Sequence, residues 1–216
     1  MSDAVKEPRR RYDSSRRQEQ ARENRRAILE AARQLFLERG YAATTVGTIA
    51  AAAGVSVETL YKAFGNKPGL VKAVVDVAIV GDDEPVPMLE RDRVRQTEAE
   101  TDPRRKLAMY GEHLAESAPR RVPVELLVRA AAASDAGAAG VWDQLEAERL
   151  TGMGFFARHL EAGGHLRPGV SVEEARDVLW TYNSASLYEM LVMRRGWAPE
   201  RYGSWVADAL VAALLA

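Results

Sequence analysis

The chain has 216 residues, of which 47% are apolar and 28% charged, with a formal net charge of −1. That length and composition suit one large domain or two small ones with a real core. No apolar run reaches membrane-spanning length, and the basic N-terminus lacks the apolar stretch and cleavage site of a secretory signal. There are no cysteines. Their absence excludes disulfides, thiol nucleophiles and cysteine-based zinc or iron–sulfur sites, and it fits a reducing cytoplasm. The near-zero net charge hides an asymmetry: residues 1–72 hold 14 basic and 8 acidic side chains, a net of +6, and the remainder carries −7. A phosphate-binding part joined to a part that does not touch nucleic acid has this pattern. A solvated surface with chance asymmetry is the plainer alternative.

Taken in chain order, residues 1–21 are charged and nearly devoid of apolar side chains, which predicts a disordered basic arm. From Arg22 the apolar positions Ile28, Ala31, Ala32, Leu35 and Phe36 recur at helical spacing until Gly40. Short helical segments follow over Val46–Ala53 and Val57–Phe64, and a fourth helix over Lys67–Val80. Gly81 to Pro87 carries two prolines and three acids and reads as a domain boundary, giving a first domain at 22–82 and a second at 83–216. In the second, a short polar helix is expected over 89–98. Asp102-Pro103 starts a helix reaching Ser117. Pro119 and Pro123 flank the start of another that runs to Ser134, and Asp135 or Gly137 opens the next, ending at Gly163-Gly164. Ser171 and Glu174 form a capping box for a helix running to Arg195, and Pro199 starts the last one. No alternating run bounded by hairpin turns occurs, so the predicted fold is all-α, with about nine or ten helices.

The stretch from Thr44 to Lys67 carries the most information. Two short helices that cross closely need a small contact residue, and Ala50 supplies it. The turn between them needs a left-handed backbone at Gly54, an apolar pin at Val55 and an N-cap at Ser56. Leu60 and Phe64 are spaced to anchor the second helix, leaving its other face for a major groove. With the upstream helix (Ile28-Leu29, Ala32, Leu35-Phe36, Gly40-Tyr41), residues 22–82 resemble the DNA-binding domain of the TetR family, with the helix-turn-helix at 45–64. The resemblance implies that Val57–Phe64 is the recognition helix and that Thr45, Tyr61 and Lys67 contact phosphates. Helix N-termini, lysines and hydroxyls suit that role. Position 58, usually small in the family, is Glu58 here. It either accepts from a cytosine amino group or pairs with Lys62 one turn on. The DNA-facing set is then Thr45, Ser56, Val57, Glu58, Thr59, Tyr61, Lys62 and Lys67, with Val57, Thr59 and Lys62 reading bases. Tyr61 could instead be a core aromatic, and Arg25 and Arg26 plain surface charges. Arg9, Arg10, Arg11, Arg16 and Arg17 could enter a minor groove or form a solubility tail.

The helix from Val172 is apolar nearly all round, and a helix apolar on every side must be covered on every side. The resemblance implies that it pairs with the last helix and with their symmetry mates in a four-helix homodimer interface. The expected interface residues are Leu179, Trp180, Tyr182, Leu187, Tyr188, Trp205 and Leu210. A buried helix within a monomer is the other option. Between 103 and 195, Met109, Tyr110, His113, Leu127, Phe155, Phe156, His159, Trp180 and Asn183 mix apolar faces with polar tips, as small-molecule sites do. They could equally be ordinary core. His113, His159 and His165 lack metal-ligand spacing. No phosphate-binding glycine loop, nucleophile elbow or HExxH motif occurs, so no cofactor, metal or catalytic residue is expected. The sequence therefore predicts a cytoplasmic, dimeric regulator, most simply a repressor released from a palindromic DNA operator by a small, largely apolar effector. An activator, or a helical ligand-binding or catalytic protein that binds no operator, is the competing reading.

Overall fold

A computed structural model of the chain describes residues 9–216, with side chains from Ser15 onward. The described residues form an all-α fold without a β-strand; one isolated bridge joins Leu166 to Leu215. The helices are α1 Arg9–Ala43, α2 Val46–Ala52, α3 Val57–Phe64, α4 Lys67–Val80, α5 Asp92–Ala99, α6 Pro103–Ala132, α7 Ala136–Ala162, α8 Val172–Tyr182, α9 Ala185–Tyr188 and α10 Pro199–Leu214. A 3-10 turn at Met88–Glu90 precedes α5, and α9 continues into a π-helical turn at Glu189–Arg194. The chain divides into two units, residues 1–74 and 75–216, so the division falls inside α4. Among the described residues, no helix is long and apolar enough to cross a membrane.

The start of α1 departs from expectation. Residues 1–8 of the expected arm lie outside the described residues, and 9–21 are helical as the start of α1. That stretch contains no Gly or Pro, and its Arg, Gln, Glu and Ala residues are strong helix formers that extend a helix nucleated further on. At its other end α1 breaks at Gly40 (φ 79°, ψ 166°). There Thr44, fully buried, donates its hydroxyl hydrogen to the carbonyls of Leu35 and Gly40 at 3.0 and 2.8 Å. The first unit's core is Ile28, Leu29, Ala32, Leu35, Phe36, Tyr41, Ile49, Ala50, Leu60, Leu70, Val71 and Val74.

The second unit corrects two helix boundaries. α6 runs unbroken through Pro119 and Pro123, although an internal proline costs a helix about 3 kcal/mol. Val122 and Val124, both fully buried, show what holds this stretch in place: tertiary packing overrides local preference. Conversely, the predicted helix from Val172 to Arg195 breaks at Asn183. Ser184 caps a new start there, accepting from the amide of Leu187 at 3.4 Å. Asn and Ser compete for backbone hydrogen bonds and so favour such ends; the surrounding apolar residues mask the signal. Asp102 accepts from Arg104 N and Asp135 from Ala138 N, and of the predicted capping box the serine half forms, with Ser171 accepting from Glu174 N.

α6 and α10 cross backbone to backbone. A β-carbon built on Gly111 would lie 2.4 Å from the carbonyl oxygen of Gly203, and one on Gly203 would lie 2.3 Å from that of Gly111. Ala207 and Ala115 flank the crossing, with their β-carbons 3.0 and 2.9 Å from the same two positions. Only glycine permits this approach. In an exposed helix Gly→Ala gains about 0.5–1 kcal/mol. Here the added methyl meets rigid backbone, and overpacking of this kind costs about 1–3 kcal/mol. Gly111→Ala should therefore lower the urea midpoint of unfolding despite its better helix propensity; a neutral or stabilising effect would contradict the crossing.

Candidate nucleic-acid interface and ligand site

The first unit builds its outer face from two caps and a turn. Thr45 caps α2 by accepting from Thr48 N at 3.1 Å, while Thr48 Oγ1 accepts from Thr45 N at 3.2 Å. Gly54 (φ 67°) turns the chain, and Val55 N donates to Ala50 O at 3.0 Å. Ser56 then caps α3, accepting from Thr59 N at 3.1 Å, and its hydroxyl lies 2.8 Å from that of Thr59. Leu60 is fully buried and Phe64 half-buried. Val57 and Tyr61 are 41% and 48% exposed, and Glu58 and Lys62 are exposed beside them. Positions 57, 58, 61 and 62 share one helix face, so α3 presents two apolar or aromatic side chains and two charged ones to the outside. Tyr61 is thus not a core aromatic.

Two expectations change in detail. Among the described residues no ion pair joins Glu58 to Lys62; exposed pairs of this kind gain little from closing. Thr59 has its hydroxyl turned back to Ser56, leaving Val57 and Lys62 as the outward members of the predicted base-reading set. Lys67 sits at the start of α4, its ammonium 4.0 Å from the centre of the Tyr41 ring, which stacks on Phe36 at 5.7 Å. Tyr41 thus seats the lysine, a role that the sequence pattern did not disclose. The Arg25 guanidinium lies 4.7 Å from the centre of the Phe64 ring, so it helps cover α3 as well as carrying charge. Arg9, Arg10 and Arg11 have side chains outside the described residues.

The second unit gathers only some of the predicted ligand residues. Tyr110 is buried, packs on Phe156 at 5.2 Å and donates its hydroxyl hydrogen to Met153 Sδ at 3.2 Å. Asn183 Nδ2 is 3.9 Å from the same sulfur, and its Oδ1 accepts from Arg121 at 3.2 Å. Arg121 is almost wholly buried and holds both carboxylate oxygens of Glu125, at 2.8 and 2.7 Å. Trp180 lies under the Arg149 guanidinium at 4.4 Å, and its Nε1 is buried without a hydrogen-bond partner among the described residues. Sequence reasoning missed Met153, Arg121, Glu125 and Arg149. An Arg four residues before a Glu inside a helix usually marks a solvated face, so nothing in the spacing announced a buried pair.

The other candidates lie elsewhere. Phe155 is 46% exposed with Arg158 over its ring, so it lines no interior site. His159 Nε2 is 2.6 Å from the ammonium of buried Lys106, which also donates to Glu98 O at 3.3 Å. The imidazole thus serves a buried cation, whose pKa burial lowers. Met109 and Leu127 are half-buried. A surface depression of about 470 Å³ follows the outer face of α8, lined by Glu174, Asp177, Val178, Thr181 and Tyr182, and contains none of the expected ligand residues.

Three of the residues expected at a dimer interface belong to the subunit's own core. Leu179 and Leu210 are fully buried and Tyr188 is 4% exposed. They occupy the inner sides of their helices, which pack within the unit. Trp180, Tyr182, Leu187 and Trp205 remain partly exposed.

His113 is held neutral. Burial first, and then the Arg93 and Arg121 charges, lower its pKa from 6.5 to about 4. Its Nδ1 is buried without a partner among the described residues. The unfolded chain therefore binds a proton that the folded chain does not, in the window from about pH 6.5 down to 4. Stability falls with pH across that window, by up to about 3 kcal/mol at the acid end. Thermal melts of His113→Gln should show a shallower loss between pH 6.5 and 4.5 than the wild type; identical slopes would contradict the neutral imidazole.

Residues 28–74 match the model of the family described as bacterial regulatory proteins, tetR family. The chain is 46% identical over 61 residues to the HTH-type transcriptional regulator TtgR of Pseudomonas putida, a match covering 28% of this chain and 29% of that protein. The aligned part thus spans under a third of the relative's length. At the level of the fold, the chain superposes on NalD, the secondary repressor of the MexAB-OprM multidrug efflux pump in Pseudomonas aeruginosa. That match has a TM-score of 0.70 at 20% identity, over 90% of this chain and 98% of NalD. It also superposes on the transcriptional regulator FadR of Bacillus subtilis, solved in complex with stearoyl-CoA. Here the TM-score is 0.66 at 20% identity, over 86% of this chain and 97% of FadR. Residues 28–74, which hold α2, the turn and α3, are thus similar to the N-terminal segment described for the tetR family of bacterial regulatory proteins.

Proposed function

We propose that the chain is a sequence-specific DNA-binding transcriptional regulator, acting as a homodimeric repressor that a small effector releases from a palindromic operator. The observation that carries this reading is the outer face of α3. Its inner side is anchored by Leu60, while Val57, Glu58, Tyr61 and Lys62 stand outward together, as a helix entering a major groove requires. Thr45 and Ser56 at the α2 and α3 starts, and Lys67 at the α4 start, flank that face as phosphate contacts. The Glu58 carboxylate belongs with a cytosine amino group, since it forms no ion pair with Lys62. The named activities of NalD and FadR, a repressor and an acyl-CoA-bound regulator, support a repressor with an effector site in the second unit. No catalytic role is assigned to any residue, and a regulator of this kind works in the cytoplasm where its DNA is.

Dimerisation uses the outer faces of α8 to α10. Tyr182 packs on Trp205 at 5.7 Å, Trp205 on Trp197 at 6.0 Å, and Val178, Leu187, Met190 and Met193 extend the apolar surface. Met190 and Met193 are 47% and 53% exposed in the single subunit, and an apolar patch of this kind marks an interaction surface. Effector and operator are linked equilibria. Whatever factor the effector takes from DNA affinity, DNA takes from effector affinity, and release of a mostly bound population needs several kcal/mol of differential binding.

Two measurements test this reading. Lys67→Ala should weaken binding to all duplexes alike and shrink the log–log salt slope by about one unit for each phosphate that the lysine neutralises. Lys62→Ala should instead change which bases are preferred at one position of each half-site. Unchanged affinity and slope for Lys67→Ala would contradict the phosphate role of that lysine. Leu187→Arg should give a soluble monomer by light scattering, because like charges then meet across a two-fold axis in a desolvated patch. Leu210→Arg, in contrast, should unfold the subunit. A wild type that is monomeric at micromolar concentration would contradict the dimer.

A further inference from the structure

Two hydrogen-bond donors meet inside the second unit on one poor acceptor. The Tyr110 hydroxyl on α6 and the Asn183 amide after α8 both point at the Met153 thioether on α7, at 3.2 and 3.9 Å. Trp180 Nε1, three residues before Asn183, has no partner among the described residues. A thioether sulfur is a weak acceptor, and buried donors ordinarily find oxygen or water. A site with spare donors and one weak acceptor is under-satisfied on its acceptor side.

Charge and shape narrow what could satisfy it. The cations beside these donors are already matched, Arg121 by both oxygens of Glu125 and Arg149 by Glu146 at 2.5 Å. A ligand carboxylate would add a buried charge with no counter-ion, which is costly. Burial raises the pKa of Tyr110, so its hydroxyl stays a donor. Phe156 beside Tyr110 offers an aromatic wall. Met153 is unbranched and can swing aside without disturbing the helix that carries it.

We propose that the effector is an uncharged, largely apolar molecule bearing a carbonyl-type acceptor oxygen, and that this oxygen takes the place of the Met153 thioether between Tyr110 and Asn183. The proposal rests on the reading of the second unit as an effector site and specifies its chemistry. Arg121 orients the Asn183 amide by donating to its Oδ1.

The test uses three matched probes on the full chain: 2-acetonaphthalene, 2-ethylnaphthalene and 2-naphthoate, measured by isothermal calorimetry. The ketone should bind about tenfold more tightly than the hydrocarbon, as two hydrogen bonds of a few-fold each predict. The carboxylate should gain nothing over the hydrocarbon. Tyr110→Phe should remove most of the ketone's advantage and leave hydrocarbon affinity unchanged, whereas Met153→Ala should strengthen ketone binding because nothing has to be displaced. The Met153 methyl resonance, assigned by Met153→Leu, should move on addition of ketone. Equal affinities for the three probes (no binding by any of them included), a preference for naphthoate, or an advantage that survives Tyr110→Phe would overturn the proposal. Operator affinity with and without ketone is a separate readout. A ketone that binds as described but leaves operator affinity unchanged upholds the chemistry of the site and contradicts the effector reading.

Discussion

A helix of eight residues has almost no stability of its own, yet α3 is the element on which the DNA-binding reading depends. It exists because its inner side is buried and its ends are tied. Leu60 is fully buried against the first unit's core, and Ser56 caps the start. Gly65 N donates to Tyr61 O at 2.8 Å at the other end. The turn before it is fixed by Val55 N on Ala50 O, and Ala50 is 1% exposed. With its backbone ends tied and its inner side buried, α3 holds its place while Val57, Glu58, Tyr61 and Lys62 stay exposed, as the proposed recognition role requires. Thr44 extends the same logic upstream: its buried hydroxyl closes the end of α1 and sets where α2 begins.

The second unit follows different rules. Its helices are long, so propensity and capping matter less than how closely they pack. The glycine crossing of α6 and α10 brings two backbones together, and the buried Arg121–Glu125 pair places a charged group among apolar neighbours. A buried pair of this kind is weak evidence for stability. It gives the interior a polar side that an aliphatic core would lack, and it holds Asn183 at the break between α8 and α9. Around Tyr110 and Asn183 the buried cation Arg121 is already matched by Glu125, and the Met153 thioether is a weak acceptor.

The sequence disclosed the first unit well and the second only in outline. Thr45, Gly54, Ser56, Leu60 and Phe64 form a signal in which each residue type answers one geometric demand at a fixed offset, so the turn and α3 could be read to the residue and α2 to within one. In the second unit the caps Asp102, Asp135 and Ser171 were equally legible because capping is local. The errors there come from tertiary effects. Pro119 and Pro123 read as helix boundaries, but packing around Val122 and Val124 carries α6 through them. The apolar run across 172–195 hid the break at Ser184. Leu179 and Leu210 read as available for a partner only because periodicity cannot distinguish a subunit core from an interface. Gly111 and Gly203 gave no sign of their meeting, since 92 positions separate them in the chain. The helical start of α1 was missed because polarity was taken as disorder where helix propensity was also high.

Selection of binding sequences from a random duplex pool by the purified full chain is the most direct test of the central claim. The account predicts enrichment of a two-fold palindrome whose half-site centres lie about one helical turn apart, roughly 34 Å, with base preferences that shift when Val57 or Lys62 is replaced. A pool that shows no enrichment, or enrichment unaffected by changes on the outer face of α3, would contradict it.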